Sequence, residues 1–154
     1  MFFFMFLIYI KLILWYNFTM KAMGIDFGLA RIGLALSDDT KFLATPFETY
    51  KRKGEELDIQ HLIDIIKTKN VDEIVCGLPM NMAGEEQTIA QKTREFMAKL
   101  QEQVDIKIHF VDERLSSLMA EEMLRETEKD WKKRKEKLDA VAASIILQDY
   151  LDAW

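Results

Sequence analysis

The sequence predicts an α/β fold for residues 20–154: a mixed five-stranded sheet, three strands antiparallel and two parallel, with helices on both faces. Three observations lead there. Strand signals follow one another closely between Met23 and Tyr50, separated only by turn residues, the pattern of an antiparallel meander. After Gly54 helical and strand periodicities alternate, and strand–helix–strand units set their strands parallel through right-handed crossovers. The chain then ends on a helix rich in Ala, Ile and Leu, suited to close packing on a sheet.

Each element has its own signal. Met23 to Phe27 is a short apolar run ended by Gly28, the mark of a buried strand. Arg31 to Ser37 alternates, with Ile32, Leu34 and Leu36 on one face, and Asp38-Asp39 makes the following turn. Phe42 to Tyr50 holds Pro46, which cannot donate to a ladder and so assigns this strand to the sheet edge. Gly54 opens a helix whose stripe is Leu57, Leu62, Ile65 and Ile66. Glu73 to Gly77 is a strand stopped by Leu78-Pro79. Glu85 to Gln103 is a second helix with Ile89, Phe96 and Leu100 inward, and Ile106 to Val111 is the last strand. Ser116 or Ser117 caps a third helix to about Thr127, and Leu138 to Leu151 is an apolar fourth.

Bulk composition narrows the function classes. The 154 residues suit one core, and 49% apolar with 31% charged residues is a globular rather than a disordered balance. Cys76 is the only cysteine, so no internal disulfide forms, which fits a reducing, cytoplasmic setting. His61 and His109 have no zinc-ligand spacing with it and read as surface or packing residues. A net charge of −5 argues against wide, nonspecific wrapping of a polyanion, but nucleic-acid binding needs only a local patch. Two patches are present, Lys51-Arg52-Lys53 and the run Lys129 to Lys137.

Residues 1–19 are an almost wholly apolar extension. They lack the basic start and small-residue cleavage site of a secretory signal. As a membrane anchor they would put Lys11 near the midplane and run into the first strand without a linker. The expectation is that translation starts at Met20 or Met23, that the folded domain is residues 20–154, and that no stable membrane association occurs.

Three acidic features sit where open α/β sheets bind ligands, beyond the carboxyl ends of their parallel strands. Asp26 lies inside an apolar strand, where a carboxylate is costly unless paired or bound to metal, and Gly24 and Gly28 flank it. Asp112-Glu113-Arg114 follows the last strand directly. Asp139 interrupts an otherwise apolar helix, either near its start, where the dipole favours it, or facing a site. Each alone has a structural explanation. Together they are the carboxylates of a divalent-metal phosphodiesterase, because Mg2+ or Mn2+ takes hard oxygen ligands and activates water.

Four motifs now become recognisable. Gly24-Ile25-Asp26-Phe27-Gly28 followed by Arg31-Ile32-Gly33 resembles the opening of the YqgF family. Gly77-Leu78-Pro79-Met80-Asn81-Met82-Ala83-Gly84, Asp112-Glu113-Arg114-Leu115-Ser116-Ser117 and Asp139-Ala140-Val141-Ala142-Ala143 resemble its further signatures, in family order. The resemblance covers about residues 20–152. It implies an RNase H-like fold similar to Holliday-junction resolvases, and a nuclease that matures the 5′ end of precursor 16S ribosomal RNA or cuts DNA junctions. It also implies that Asp26 and Asp139 ligate metal, with Asp112 or Glu113 as the middle carboxylate. A homodimer would suit symmetric junction cleavage.

One departure matters. Resolvases carry their middle acid where this chain has Gly77-Leu78-Pro79, so Asp26 and residue 112 would stand two strand spacings apart, about 9–10 Å. The longer Glu113 is therefore favoured as ligand, leaving Asp112 to cap the next turn or helix. Arg31 and Arg114 would fork onto phosphate oxygens, or else pair with carboxylates to hold loops. Asn81 would orient substrate or shape its turn. Two rival readings are a small actin- or sugar-kinase-like ATPase, for which no second phosphate loop is present, and a non-catalytic nucleic-acid-binding module.

Overall fold

The structure is a computed structural model and describes residues 1–16, 19–81, 83, 88–113 and 115–153. Its elements are α1 (Phe2–Tyr16), β1 (Lys21–Phe27), β2 (Arg31–Ser37), β3 (Ala44–Lys51), α2 (Glu55–Thr68), β4 (Val71–Leu78), α3 (Thr88–Gln103), β5 (Lys107–Asp112), α4 (Ser116–Thr127) and α5 (Trp131–Asp152). The sheet order is β3-β2-β1-β4-β5. β1–β2 and β2–β3 pair antiparallel, and β1–β4 and β4–β5 pair parallel, as the meander and crossovers require. The expected mixed sheet is the one observed.

Side-chain parity divides the molecule. Met23, Ile25 and Phe27 of β1, Ile32, Leu34 and Leu36 of β2, and Ile74 and Cys76 of β4 form the main core with α2 and α3. The alternate residues Ala22, Ala35 and Val75 face Ala143, Ile146 and Leu147 of α5. This second face is lined by small residues because the α5 backbone lies directly on it. A Cβ on Gly24 would stand 2.6 Å from the Ala143 carbonyl oxygen, and one on Gly33 would collide with the Asp139 carbonyl. β2 is accordingly buried on both faces from Ile32 to Ser37, not on one alone.

Pro46 does lie on the edge strand, where the ladder shifts register: Leu34 faces Glu48 but Ala35 faces Pro46. The missing donor is accommodated by a bulge. The Asp38 carboxylate closes the β2–β3 turn by accepting from the Phe42 and Leu43 amides and the Thr40 hydroxyl. In α2 the inward residues are Ile59, Leu62, Ile63, Ile65 and Ile66, whereas Leu57 is 60% exposed. Asp58 takes the buried place instead, accepting from Arg52 Nε and the Lys53 amide. Arg52 also lies over the rings of Phe27 and Phe96, so it belongs to the core edge rather than to a free basic patch. α3 is described from Thr88, with residues 85–87 of the expected helix outside the described residues.

Two helix starts differ from expectation. The N-cap of α4 is Leu115 without a side-chain cap, and the Ser116 hydroxyl donates back to the Glu113 carbonyl. α5 begins at Trp131, not Leu138, because the Asp130 side chain caps it by accepting from the Lys132 amide. The basic run therefore forms the opening turns of α5. α1 is a 15-residue helix with exposed apolar side chains, and among the described residues no helix is long and apolar enough to cross a membrane.

Candidate active site

The site lies at the carboxyl end of the parallel strands, on the face covered by α5. β1 delivers Asp26 there because Asp26 shares parity with Ala22 and Gly24, the residues packed under α5. On β5, Ile108 and Phe110 pack toward the α2–α3 core and Val111 toward the α5 side. Parity then turns Glu113 toward Asp26, whereas Asp112 is exposed, near enough for its charge to act on Glu113. The Glu113 backbone is fixed by its amide donating to the Leu78 carbonyl (3.3 Å) and its carbonyl accepting from the Ser116 amide (3.1 Å).

Gly77 makes the approach of the two acids possible. β4 stands between β1 and β5, and Gly77 pairs with Val111 at the level of the site. A Cβ on Gly77 would collide with Glu113 Oε2 and come 2.7 Å from Ile146 Cδ1. The Glu113 carboxyl therefore lies over the bare glycine and reaches Asp26 across the intervening strand.

The electrostatics follow from that contact. Burial, followed by the Asp26 charge and their shared hydrogen bond, pushes the Glu113 carboxyl up to about 9. Burial and the Asp139 charge raise Asp26 to about 6, with the Glu113 hydrogen bond acting the other way. Near neutral pH the pair thus shares one proton between its two carboxyls. Among the described residues no donor reaches Glu113 Oε2, although that atom is buried.

Asp139 sits in the third turn of α5, so the helix-start explanation for it fails. It is close enough to raise Asp26, but its Oδ2 accepts from Arg31 Nε at 2.7 Å. The structure thus joins Asp26 and Glu113 directly and sets Asp139 beside them in an ion pair. No group of three or more His, Cys, Asp or Glu side chains is gathered around a common point among the described residues. Asp112 does not cap α4. Asn81 Oδ1 accepts from the Ala83 amide at 3.0 Å, the local bond of a turn. Arg114 lies outside the described residues. His61 stacks on Tyr50 and His109 packs against Tyr150, both away from the acids.

The role of Gly77 in making room for Glu113 is not read from the sequence, where it ends a strand and opens the second signature. Its signal was available in the glycines of three adjacent strands, Gly24, Gly33 and Gly77, all turned to one helix.

The model of the RuvX family, described as Holliday junction resolvase, matches residues 20–153. The chain belongs to this family. The four motifs had pointed to the same family. Among RuvX relatives, a protein of Maridesulfovibrio salexigens named "Putative pre-16S rRNA nuclease" is 42% identical, over 86% of this chain and 98% of the relative. A Ruegeria protein of the same name is 46% identical, over 84% and 82%. The solved structure of Thermus thermophilus RuvC with a Holliday junction superposes with a TM-score of 0.58 at 12% identity, covering 87% of this chain and 94% of that one. The Fowlpox virus resolvase in complex with junction DNA gives 0.53 at 15% identity, covering 87% and 98%. At such identities these neighbours establish the RuvC-like, RNase H-like fold.

Proposed function

We propose that this chain hydrolyses nucleic-acid phosphodiesters at the Asp26–Glu113 pair and that its substrate is the 5′ end of precursor 16S ribosomal RNA. The observation that carries the reading is the meeting of two carboxyls over Gly77, one with a buried oxygen that no donor among the described residues reaches. Two buried carboxyls in contact are stable only when they share a proton or a cation. The names of the relatives support the RNA substrate.

The donor set fits magnesium or manganese, which favour hard oxygens. Asp26 and Glu113 would hold the ion, with Asp139 as third ligand once it turns from Arg31. When bound, the ion would supply water activation and charge neutralisation at the scissile phosphate. Arg31 serves the substrate: a guanidinium freed from Asp139 forks onto phosphate oxygens. Gly77 keeps the space between the acids open, and the Leu78 and Ser116 contacts hold Glu113 in register. Asn81 and Arg114 stand as further substrate contacts, and the cytoplasm as the place of action.

The family description favours a second substrate, the four-way DNA junction, for which a two-fold dimer would be needed. Purified protein incubated with 5′-extended precursor 16S RNA and with a four-way junction, each with Mg2+, Mn2+ or chelator, separates the readings. Metal-dependent cutting of the RNA is expected. Paired cuts in the junction with intact RNA would transfer the substrate to DNA, and no cutting of either would overturn the assignment.

A further inference from the structure

Beside the Arg31–Asp139 pair a cavity of about 350 Å³ opens between the edge strand and the start of α5. It is lined by Arg31, Thr49, Trp131, Lys132, Lys135 and Glu136. Trp131 is 61% exposed, an unusual state for the largest apolar side chain at a helix start that Asp130 already caps. The Thr49 hydroxyl oxygen is buried and has no hydrogen-bond partner among the described residues. Elsewhere in the basic run Arg134 donates to the Glu128 and Lys129 carbonyls and Lys137 pairs with Glu128. Lys132 and Lys135 form no ion pair among the described residues and are the two lysines that line the cavity.

We infer that this cavity binds an unpaired nucleobase of the substrate strand, stacked on Trp131, with its flanking phosphates held by Lys132, Lys135 and Arg31. The inference rests on the nuclease reading and specifies its substrate as a strand with an unpaired base beside the scissile phosphate. An exposed indole between cations is the arrangement that takes any base by its π-face while charge tracks the backbone. Glu136 argues against a site for free phosphate, since a carboxylate in the lining repels an anion but accepts from a base amino group. The partnerless Thr49 hydroxyl offers a further donor or acceptor to the same base edge. Arg31 belongs both to this cavity and to the Asp139 pair, so a base seated here sets its neighbouring phosphate at the acids.

The test measures binding apart from cleavage. In an Asp26→Asn background, affinities are measured for a single-stranded RNA oligomer and for a fully paired duplex of the same sequence, with Trp131→Ala and Trp131→Phe added in turn. Trp131→Ala should weaken single-strand binding roughly tenfold, duplex binding should change little, and Trp131→Phe should keep most of the affinity. Lys135→Ala should lower the slope of log affinity against log salt by about 0.7. Circular dichroism checks that each variant is folded, and the exposure of Trp131 makes that the expected result. Equal loss for both ligands, or none in Trp131→Ala, would overturn the base site while leaving the nuclease assignment intact. Trp131-dependent binding by a chain that cleaves nothing would do the reverse. Absence of any nucleic-acid binding by the Asp26→Asn protein would overturn both.

Discussion

Protonation of the Glu113–Asp26 pair makes stability depend on pH in a direction opposite to that of an ordinary ion-paired acid. The Glu113 carboxyl rises from 4.5 to about 9 on folding. Between those values the folded chain carries a proton that the unfolded chain has lost, so the contribution of Glu113 to stability is fullest below pH 4.5 and falls as pH rises toward 9. One proton of difference corresponds to about 1.4 kcal/mol per pH unit, so moving from pH 6.5 to 8 should remove about 2 kcal/mol. The carboxylates with lowered values, Asp38, Asp58, Glu73 and Glu128, lose their contribution only as pH falls below about 4 and do not enter this window. Urea unfolding in chelator at pH 6.5 and 8 reads the difference, with an unchanged m-value as the check on two-state behaviour. Glu113→Gln cannot titrate and should remove most of the slope. Saturating Mn2+ should stabilise the wild type more at pH 8 than at 6.5, because the ion competes with the shared proton. A wild-type profile that is flat or rising, or a Glu113→Gln profile that keeps the slope, would refute the reasoning.

Other variants test the site from its remaining sides. Asp26→Asn should reduce cleavage to background while unfolding at the same urea concentration as wild type or higher, since it removes a buried charge; Asp139→Asn should match it in cleavage and lose up to about 1 kcal/mol by leaving Arg31 unpaired. Asp112→Asn should cleave within about twofold of wild type, because parity turns it away from Asp26; a loss as deep as that of Glu113→Gln in the same gel assay would reverse the assignment. Gly77→Ala should fold but cleave poorly, since its Cβ would displace the flexible end of Glu113 from Asp26; full activity in a folded variant would show that the carboxyl does not need that space.

The mixed sheet was legible because its signals are local. Pro46 declares an edge, Gly54 opens a helix, and the strand runs at Met23, Arg31 and Ile106 carry their own periodicity. Asp26 and Asp139 were legible as costly charges in apolar surroundings. The boundary of α5 was misjudged because apolar periodicity begins at Leu138, whereas the helix is started seven residues earlier by a single capping bond from Asp130. Periodicity places Leu57 inward because it cannot see that Asp58, clasped by Arg52, occupies the buried position beside it.

By itself the sequence determined which elements form and which acids lack a reason to be buried, since both depend on neighbours along the chain. Which of Asp112 and Glu113 meets Asp26 was decided only by the tertiary structure. It depends on the parity with which β5 joins the sheet, on β4 lying between the two acids, and on Gly77 leaving that strand bare. The same holds for the pairing of Arg31 with Asp139, 108 residues apart in sequence and 2.7 Å apart in space. Contacts of this kind arise from packing α5 onto the sheet, and no local pattern in the chain encodes the distance they close.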